Sequence, residues 1–404
     1  MPVPNKVCLK FLPLLIVLWI SHFLVDIMLG IWPVFKTMAD LDLTKAGLVV
    51  SIGALIGEGS QLFFGAFSDR GYRKHFIILG LLLAVGCSFL SYFSQYGALF
   101  GLYLLTCIGS GSFHPSAGGL VGSLLPSRRN LLMTLFASGG CLGMAGSQLI
   151  FISTYKATQG NTWMLAIPLL LMAIFLIFFK FPVLQNVPMP DKKPKKFLAD
   201  FVYFIKQPRL RSLYFLQLAN QSILWGTIFI LPDVLKSFGH AEWICYGGGH
   251  LCFILGGFFA MVPAGYLADK YSARMVLLVA GIVSCIGFYL LIFFGNISVM
   301  VLLSTLFVLG AALNLVNPVG VALGTIFEPT RPSSISAFLM GLVWCISEAL
   351  GPGGVGTLTY FFDDYAPVKA LAVLGSLFLI QIYATVSLPS IAPEASVEAF
   401  PEMG

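Results

Sequence analysis

The chain has 404 residues, 58% of them hydrophobic and only 10% charged, with a formal net charge of +6. A soluble domain carries about 25% charged residues, so a shortfall spread over the whole length excludes an ordinary water-soluble enzyme or scaffold. The positive balance is explained by its distribution among the tail and short loops between apolar segments, so no nucleic-acid partner is expected.

Twelve apolar segments follow one another. Each is roughly 20 residues or longer, enough to cross a hydrocarbon layer of about 30 Å as a helix. The first, 11–35, follows Lys6 and Lys10 and holds His22 and Asp26 one turn apart on one face. It reads as an uncleaved span, because the apolar run continues past Asp26 with no small-residue cleavage site. The second, 44–68, holds Glu58 and Gln61. A charged loop, FSDRGYRKH from Phe67 to His75, leads into the third, 75–95. The fourth, 98–124, carries His114 directly before Pro115, where a kink is expected. The fifth, 130–154, holds Gln148, and the sixth, 161–182, has no charge near its middle.

A polar stretch, VPMPDKKPKK from Val187 to Lys196, lies in a connector, 183–209, that reads as solvated. The seventh segment, 210–236, holds Asn220, Gln221 and Trp225. The eighth, 243–268, holds His250, and the ninth is 274–295. The tenth, 297–326, holds Asn314 and Asn317. The eleventh, 333–361, holds Trp344 and Glu348, and the twelfth is 366–388. The expected organisation is a six-helix bundle over 1–182, the connector, a second bundle over 210–389 and a tail, 390–404.

Alternating ten-residue strands are absent, which leaves an all-α polytopic bundle. Of the 23 Lys and Arg, 18 fall in the N-terminal tail, the even-numbered loops and their flanks. The other five, Lys36, Lys45, Lys156, Lys236 and Lys369, fall on the opposite side. By the positive-inside rule both termini are cytoplasmic. No Lys or Arg is expected deep in a helix. The eight cysteines form no CxxC, and all but Cys8 lie in or at the ends of apolar segments, as packing residues do.

The two halves repeat. GAFSDRGYRK, from Gly65 to Lys74, returns as GYLADKYSAR, from Gly265 to Arg274. The same offset of 200 positions pairs Asp69 with Asp269, Arg70 with Lys270, His114 with Asn314 and Gln148 with Glu348. A repeat of six helices keeps both copies in one orientation, so the bundles are pseudo-symmetric about an axis along the membrane normal.

Twelve helices in two such halves, with G-x-x-x-D-R-G-x-R-K after the second, resemble the major facilitator superfamily. The resemblance implies that Gly65 lets the second helix pack closely. It also implies a charge relay in which Asp69 latches the halves through Arg70, Arg73 and Lys74 around Gly71. The second copy, with Gly265, Asp269, Lys270 and Arg274, is degraded, since Tyr271 replaces the loop glycine. HFLVD (His22 to Asp26), GSFHP (Gly111 to Pro115) and FASGGCLG (Phe136 to Gly143) are similar to the fosmidomycin-resistance type of exporter. The Gly-Pro pair that drug–proton antiporters carry late in the fifth helix is missing from GMAGSQ (Gly143 to Gln148); a Gly-Pro-Gly-Gly stands instead at Gly351 to Gly354.

Ionisable side chains within a bilayer are costly and face a cavity or a partner. His22, Asp26, Glu58, Gln61, His114, Gln148, Asn220, Gln221, Asn314, Asn317 and Glu348 are therefore the candidate cavity residues, and Asp26, Glu58 and Glu348 the candidate coupling acids. Counted with His250 of the eighth segment, they leave out segments 3, 6, 9 and 12, which are expected to face lipid. The expected function is secondary transport of a small solute by alternating access, coupled to protons, as efflux or alternatively as import. A non-transporting sensor is the remote alternative. No HExxH, GxSxG or nucleotide loop suggests an enzyme, and no cofactor or metal is expected. Without deep Lys or Arg, a neutral, cationic or zwitterionic solute fits better than a strongly anionic one. A monomer in a bacterial inner membrane is expected, the location by resemblance.

Overall fold

The structure, a computed structural model, describes residues 6–124, 129–181, 197–296, 298–329, 335 and 337–389. Among them there is no strand, and every apolar segment is helical. In lipid the backbone finds no water to bond, so helices that bond internally are required.

The first six spans are α1 (Lys6–Leu29, continued by Trp32–Met38), α2 (Leu43–Gly57, continued by Gln61–Phe67), α3 (Arg73–Ala84, with a 3-10 end Val85–Tyr92), α4 (Tyr96–Leu124), α5 (Arg129–Ala157) and α6 (Thr162–Leu165 with Ala166–Phe178). The second six are α7 (Pro208–Ser237), α8 (Ile244–Gly248 with Gly249–Lys270), α9 (Ala273–Phe294), α10 (Val299–Asn314 with Val316–Phe327), α11 (Ala337–Leu342 with Val343–Thr359) and α12 (Ala366–Leu374 with Leu377–Val386). Ten are long and apolar enough to cross a membrane; Leu43–Gly57 and Thr162–Phe178 are apolar but shorter.

Local chemistry accounts for the interruptions. In α2, Gly57 and Gly59 flank Glu58, and glycine weakens a helix interior. The Ser60 hydroxyl takes the Gly57 carbonyl, and the Gly59 N–H reaches back to Ala54 O. In α10, Pro318 lacks the N–H that would bond Asn314 O, and the helix restarts after Leu315. By contrast, α4 runs through Pro115 as one helix.

The chain separates into two compact units, Met1–Asp40 with Ile52–Lys193, and Leu41–Ser51 with Pro194–Gly404. In the first, α5 lies tight along α1. A Cβ at Gly139 would strike Trp19 O, and one at Gly143 would strike Phe23 O. Small residues at four-residue spacing allow backbones to approach this closely. In the second, Gly351 of α11 lies against Ser222 O and the Gly226 N–H of α7, while Gly353 lies against the Ser51 hydroxyl. The Gly-Pro-Gly-Gly stretch is thus a packing surface.

Large apolar side chains are exposed along α6, α9 and α12, as at Phe178, Phe293 and Tyr383. The connector is not wholly solvated: Phe197–Lys206 is a helix, and its buried Phe204 packs on Phe338 with ring centres 5.3 Å apart. Residues 182–196 and the tail 390–404 lie outside the described residues. None of the seven cysteines whose side chains are described is in a disulfide.

Candidate functional site

Within the first unit, α1, α2, α4 and α5 gather one polar cluster. His22 and Asp26 come from one face of α1, with Nε2 3.4 Å from Asp26 Oδ2. His114 of α4 brings its own Nε2 to 3.2 Å from Asp26 Oδ1 and 3.1 Å from His22 Nε2. The three donor groups thus converge on one point. Glu58, at the break in α2, joins through Ser110: the Ser110 hydroxyl donates to Glu58 Oε1 at 2.9 Å and lies 2.9 Å from His114 Nδ1. Gln61 Nε2 donates to Glu58 Oε2. The cluster is buried, with His22 7% and Glu58 8% exposed. Aromatic rings close it, Phe136 stacking on His22 at 4.3 Å.

The hydrogen bonds assign the protons. His22 Nδ1 lies 2.9 Å from Phe136 O, and His114 Nδ1 lies 3.0 Å from Ser110 O. A carbonyl only accepts, so both Nδ1 atoms carry hydrogen, and in the neutral rings both Nε2 atoms present lone pairs. Two such lone pairs and a carboxylate face one another. The arrangement is stable only with a positive charge among them, either a proton on a ring or a cation. His22, Asp26 and His114 are also a group whose donor atoms, within 4.8 Å of one another, could hold a metal ion.

Sequence reading missed two parts of this site. Ser110 is the link between Glu58 and His114. Gly140 leaves room for the cluster, because a Cβ there would strike His22 Nε2 and Asp26 Oδ2. Gly140 falls inside the quoted FASGGCLG stretch, so its signal was present without a role. Lys36 lies in the last turn of Trp32–Met38 and is fully buried, with its Nζ donating to Thr37 Oγ1 at 3.0 Å.

Gln148 is buried in α5, with neither amide atom hydrogen-bonded among the described residues. In the second unit the candidates with hydrogen bonds to other side chains or other helices are amides. Asn317 Nδ2 donates to Gln217 Oε1 at 2.6 Å, and Asn220 Nδ2 donates to Leu313 O at 2.9 Å. Gln217 Nε2 and Asn220 Oδ1 are buried without a hydrogen bond, as are the indole N–H groups of Trp225 and Trp344. Gln217, one turn before Asn220 and Gln221, was not anticipated. Asn314 bonds within its own helix, to Gly310 O at 2.8 Å. Gln221 and His250 are buried, and Glu348 is half-buried on α11.

The basic loops do local work. Gly71 has φ +100°, a left-handed turn that glycine adopts without strain. Lys74 donates to Ile177 O and Phe179 O at 2.9 and 3.0 Å, capping the end of α6. Arg274, its counterpart, donates to Val386 O at 2.7 Å at the end of α12. Cations suit helix C-termini, where carbonyls lack partners. Arg73 donates to Ser123 Oγ at 3.3 Å on α4, Arg70 lies over the Phe67 ring, and Lys270 over Tyr271. Gly65 is less demanding than the resemblance implied, since a Cβ there would meet Pro115 at an ordinary 3.5 Å, and one at Gly265 would meet nothing. The side chains of Asp69 and Asp269 lie outside those described.

Comparison with known proteins agrees with the architecture. A bacterial homologue of the human lysosomal transporter Spinster, in an inward-facing and occupied conformation, superposes with a TM-score of 0.73 at 14% identity, over 99% of this chain and 98% of that one. The nucleoside transporter NupG superposes with a TM-score of 0.72 at 12% identity, over 92% and 99%. At such identities the likeness is one of fold. No curated protein sequence matches the chain. The sequence model of the Major Facilitator Superfamily matches residues 14–352. With that match over most of its length, the chain belongs to the Major Facilitator Superfamily and is a membrane transporter rather than an enzyme.

Proposed function

We propose that this transporter is proton-coupled and that Glu58 is the acid that exchanges the proton. The carrying observation is the contrast between the two buried carboxylates of the first unit. Asp26 stands between two imidazoles, whereas Glu58, among the described residues, is bonded by the neutral Ser110 and Gln61. A proton on Glu58 therefore breaks no ion pair within 4 Å there, and Glu58 stands at the break in α2. Asp26 with His22 and His114 is the fixed charged neighbour, and Glu348 is the second unit's candidate.

The solute is polar and rich in hydrogen-bonding groups. In the second unit Gln217 and Asn220 bury amide atoms without partners among the described residues, and a buried polar atom left unpaired costs about 1–3 kcal/mol. Such atoms suit a neutral or zwitterionic solute with both donors and acceptors. The fosmidomycin-resistance-like stretches favour efflux, and the missing Gly-Pro pair in α5 keeps import as the second reading. The remaining assignments follow from the loops and the family: cytoplasmic termini, a bacterial inner membrane, a monomer, and a latch built on Asp69 with Arg70, Arg73 and Lys74.

The test is proton movement in proteoliposomes carrying an internal pH dye. Pools of drugs, nucleosides and amino acids are offered to wild type and Glu58→Gln. A solute-evoked proton flux in wild type that is lost in Glu58→Gln is expected, and its sign separates efflux from import. Flux undiminished in Glu58→Gln would overturn the assignment.

A further inference from the structure

The three convergent donors carry an inference that transport alone does not require. We propose that His22, Asp26 and His114 form a binding site for a divalent transition-metal ion of the zinc or ferrous class. The donor set is two imidazole nitrogens and a carboxylate, a combination that suits such ions. Ligand atoms about 2.0–2.1 Å from a tetrahedral ion stand about 3.3 Å from one another. The two imidazole Nε2 atoms are 3.1 Å apart, and each faces its own oxygen of Asp26, His114 at 3.2 Å from Oδ1 and His22 at 3.4 Å from Oδ2, so either carboxylate oxygen, or both, can complete the set.

The surroundings fit as well. Metal-bound imidazoles usually donate their second N–H to a carbonyl or carboxylate, which fixes the ligating nitrogen. Both rings do so here, His22 to Phe136 O and His114 to Ser110 O. Asp26 Oδ1 is buried with no aligned hydrogen bond, although His114 Nε2 lies near it. Gly140 keeps side-chain atoms away from the point where the donors meet. Glu58 is engaged by Ser110 and Gln61 and is not a ligand. The protein thus supplies three ligands, and the rest of the coordination shell goes to water or to a donor atom of the solute. Neither His22 nor Asp26 suggested this from sequence, because the third ligand comes from another helix.

The site stands on donor geometry and does not depend on Glu58 as the proton-exchanging acid. The test uses purified, untagged full-length protein at fixed pH, titrated with cobalt(II) as a spectroscopic probe and with zinc(II) by calorimetry. One ion per chain is expected, with the visible absorption of low-symmetry cobalt. His22→Ala and His114→Ala, checked as monodisperse by gel filtration, are expected to weaken binding more than about tenfold. His75→Ala, exposed in the first turn of α3, is expected to bind as wild type does. Absence of stoichiometric binding, or binding undiminished in both histidine variants, would overturn the proposal. Glu58→Gln separates the two readings: it is expected to retain cobalt binding while losing proton flux. If it loses cobalt binding as well, the three-ligand assignment fails.

Discussion

The two units share a fold and differ in what they bury. The first unit holds His22, Asp26, Glu58 and Ser110. At the offset of 200 positions the second unit has Ser222, Gly226, Phe258 and Gly310 in their places. His114 becomes Asn314. The helix pairing survives the exchange, since α5 packs on α1 through Gly139 and Gly143, and α11 on α7 through Gly351. Duplication has thus kept the scaffold and split the chemistry. One copy gathers His22, Asp26, His114 and Glu58 into a single cluster; the other bonds amides at Gln217, Asn220 and Asn317 and keeps His250 and Glu348 as its ionisable candidates.

This division can be broken at its tightest point. Gly140→Val forces side-chain atoms onto His22 Nε2 and Asp26 Oδ2. It is expected to abolish solute-evoked proton flux, and overpacking of this kind costs about 1–3 kcal/mol of stability. Met340 holds the corresponding place in the second unit and is 37% exposed. Met340→Ala is expected to leave flux within about twofold, as for surface positions generally. Flux measurements and thermal unfolding of both variants check the pair. Equal loss in the two would erase the asymmetry.

The second unit is probed by Gln217→Leu. It removes the acceptor of Asn317 Nδ2 and leaves a buried donor unpaired, at about 1–3 kcal/mol. The expected kinetic signature is a raised half-saturation for solute, with proton flux restored at saturating solute. Loss of flux at every concentration would place coupling in the amide set too.

The smallest contrast lies in the loops. Gly71→Ala puts a side chain at φ +100° and is expected to cost about 1–2 kcal/mol. The equivalent Tyr271 has φ −111°, so Tyr271→Gly is expected to relieve no strain. Comparison of unfolding midpoints tests this. Lys74 and Arg274 meanwhile show conserved local chemistry, each capping the last helix of its own unit.

Much of the architecture was legible because bilayer thickness sets segment length, and the repeat is written in DRGYRK and DKYSAR. The pair His22 and Asp26 was legible because i and i+4 share a helix face. Their meeting with His114 was not, since spacing along one helix says nothing of which neighbour it packs against. Ser110 and Gly140 were hidden for the same reason, being a common hydroxyl and a missing side chain. The break at Glu58 was written in Gly57 and Gly59 but overridden by the apolar run. The burial of Lys36 was not legible, because a base at the end of a segment reads as exposed until packing covers it.

The most direct test of the central claim uses the solute found by the flux screen. Solute counterflow, which needs no net proton movement, is measured beside proton-driven solute movement in Glu58→Gln. The account predicts that counterflow persists while proton-driven movement is lost. Proton-driven movement preserved in Glu58→Gln would contradict it.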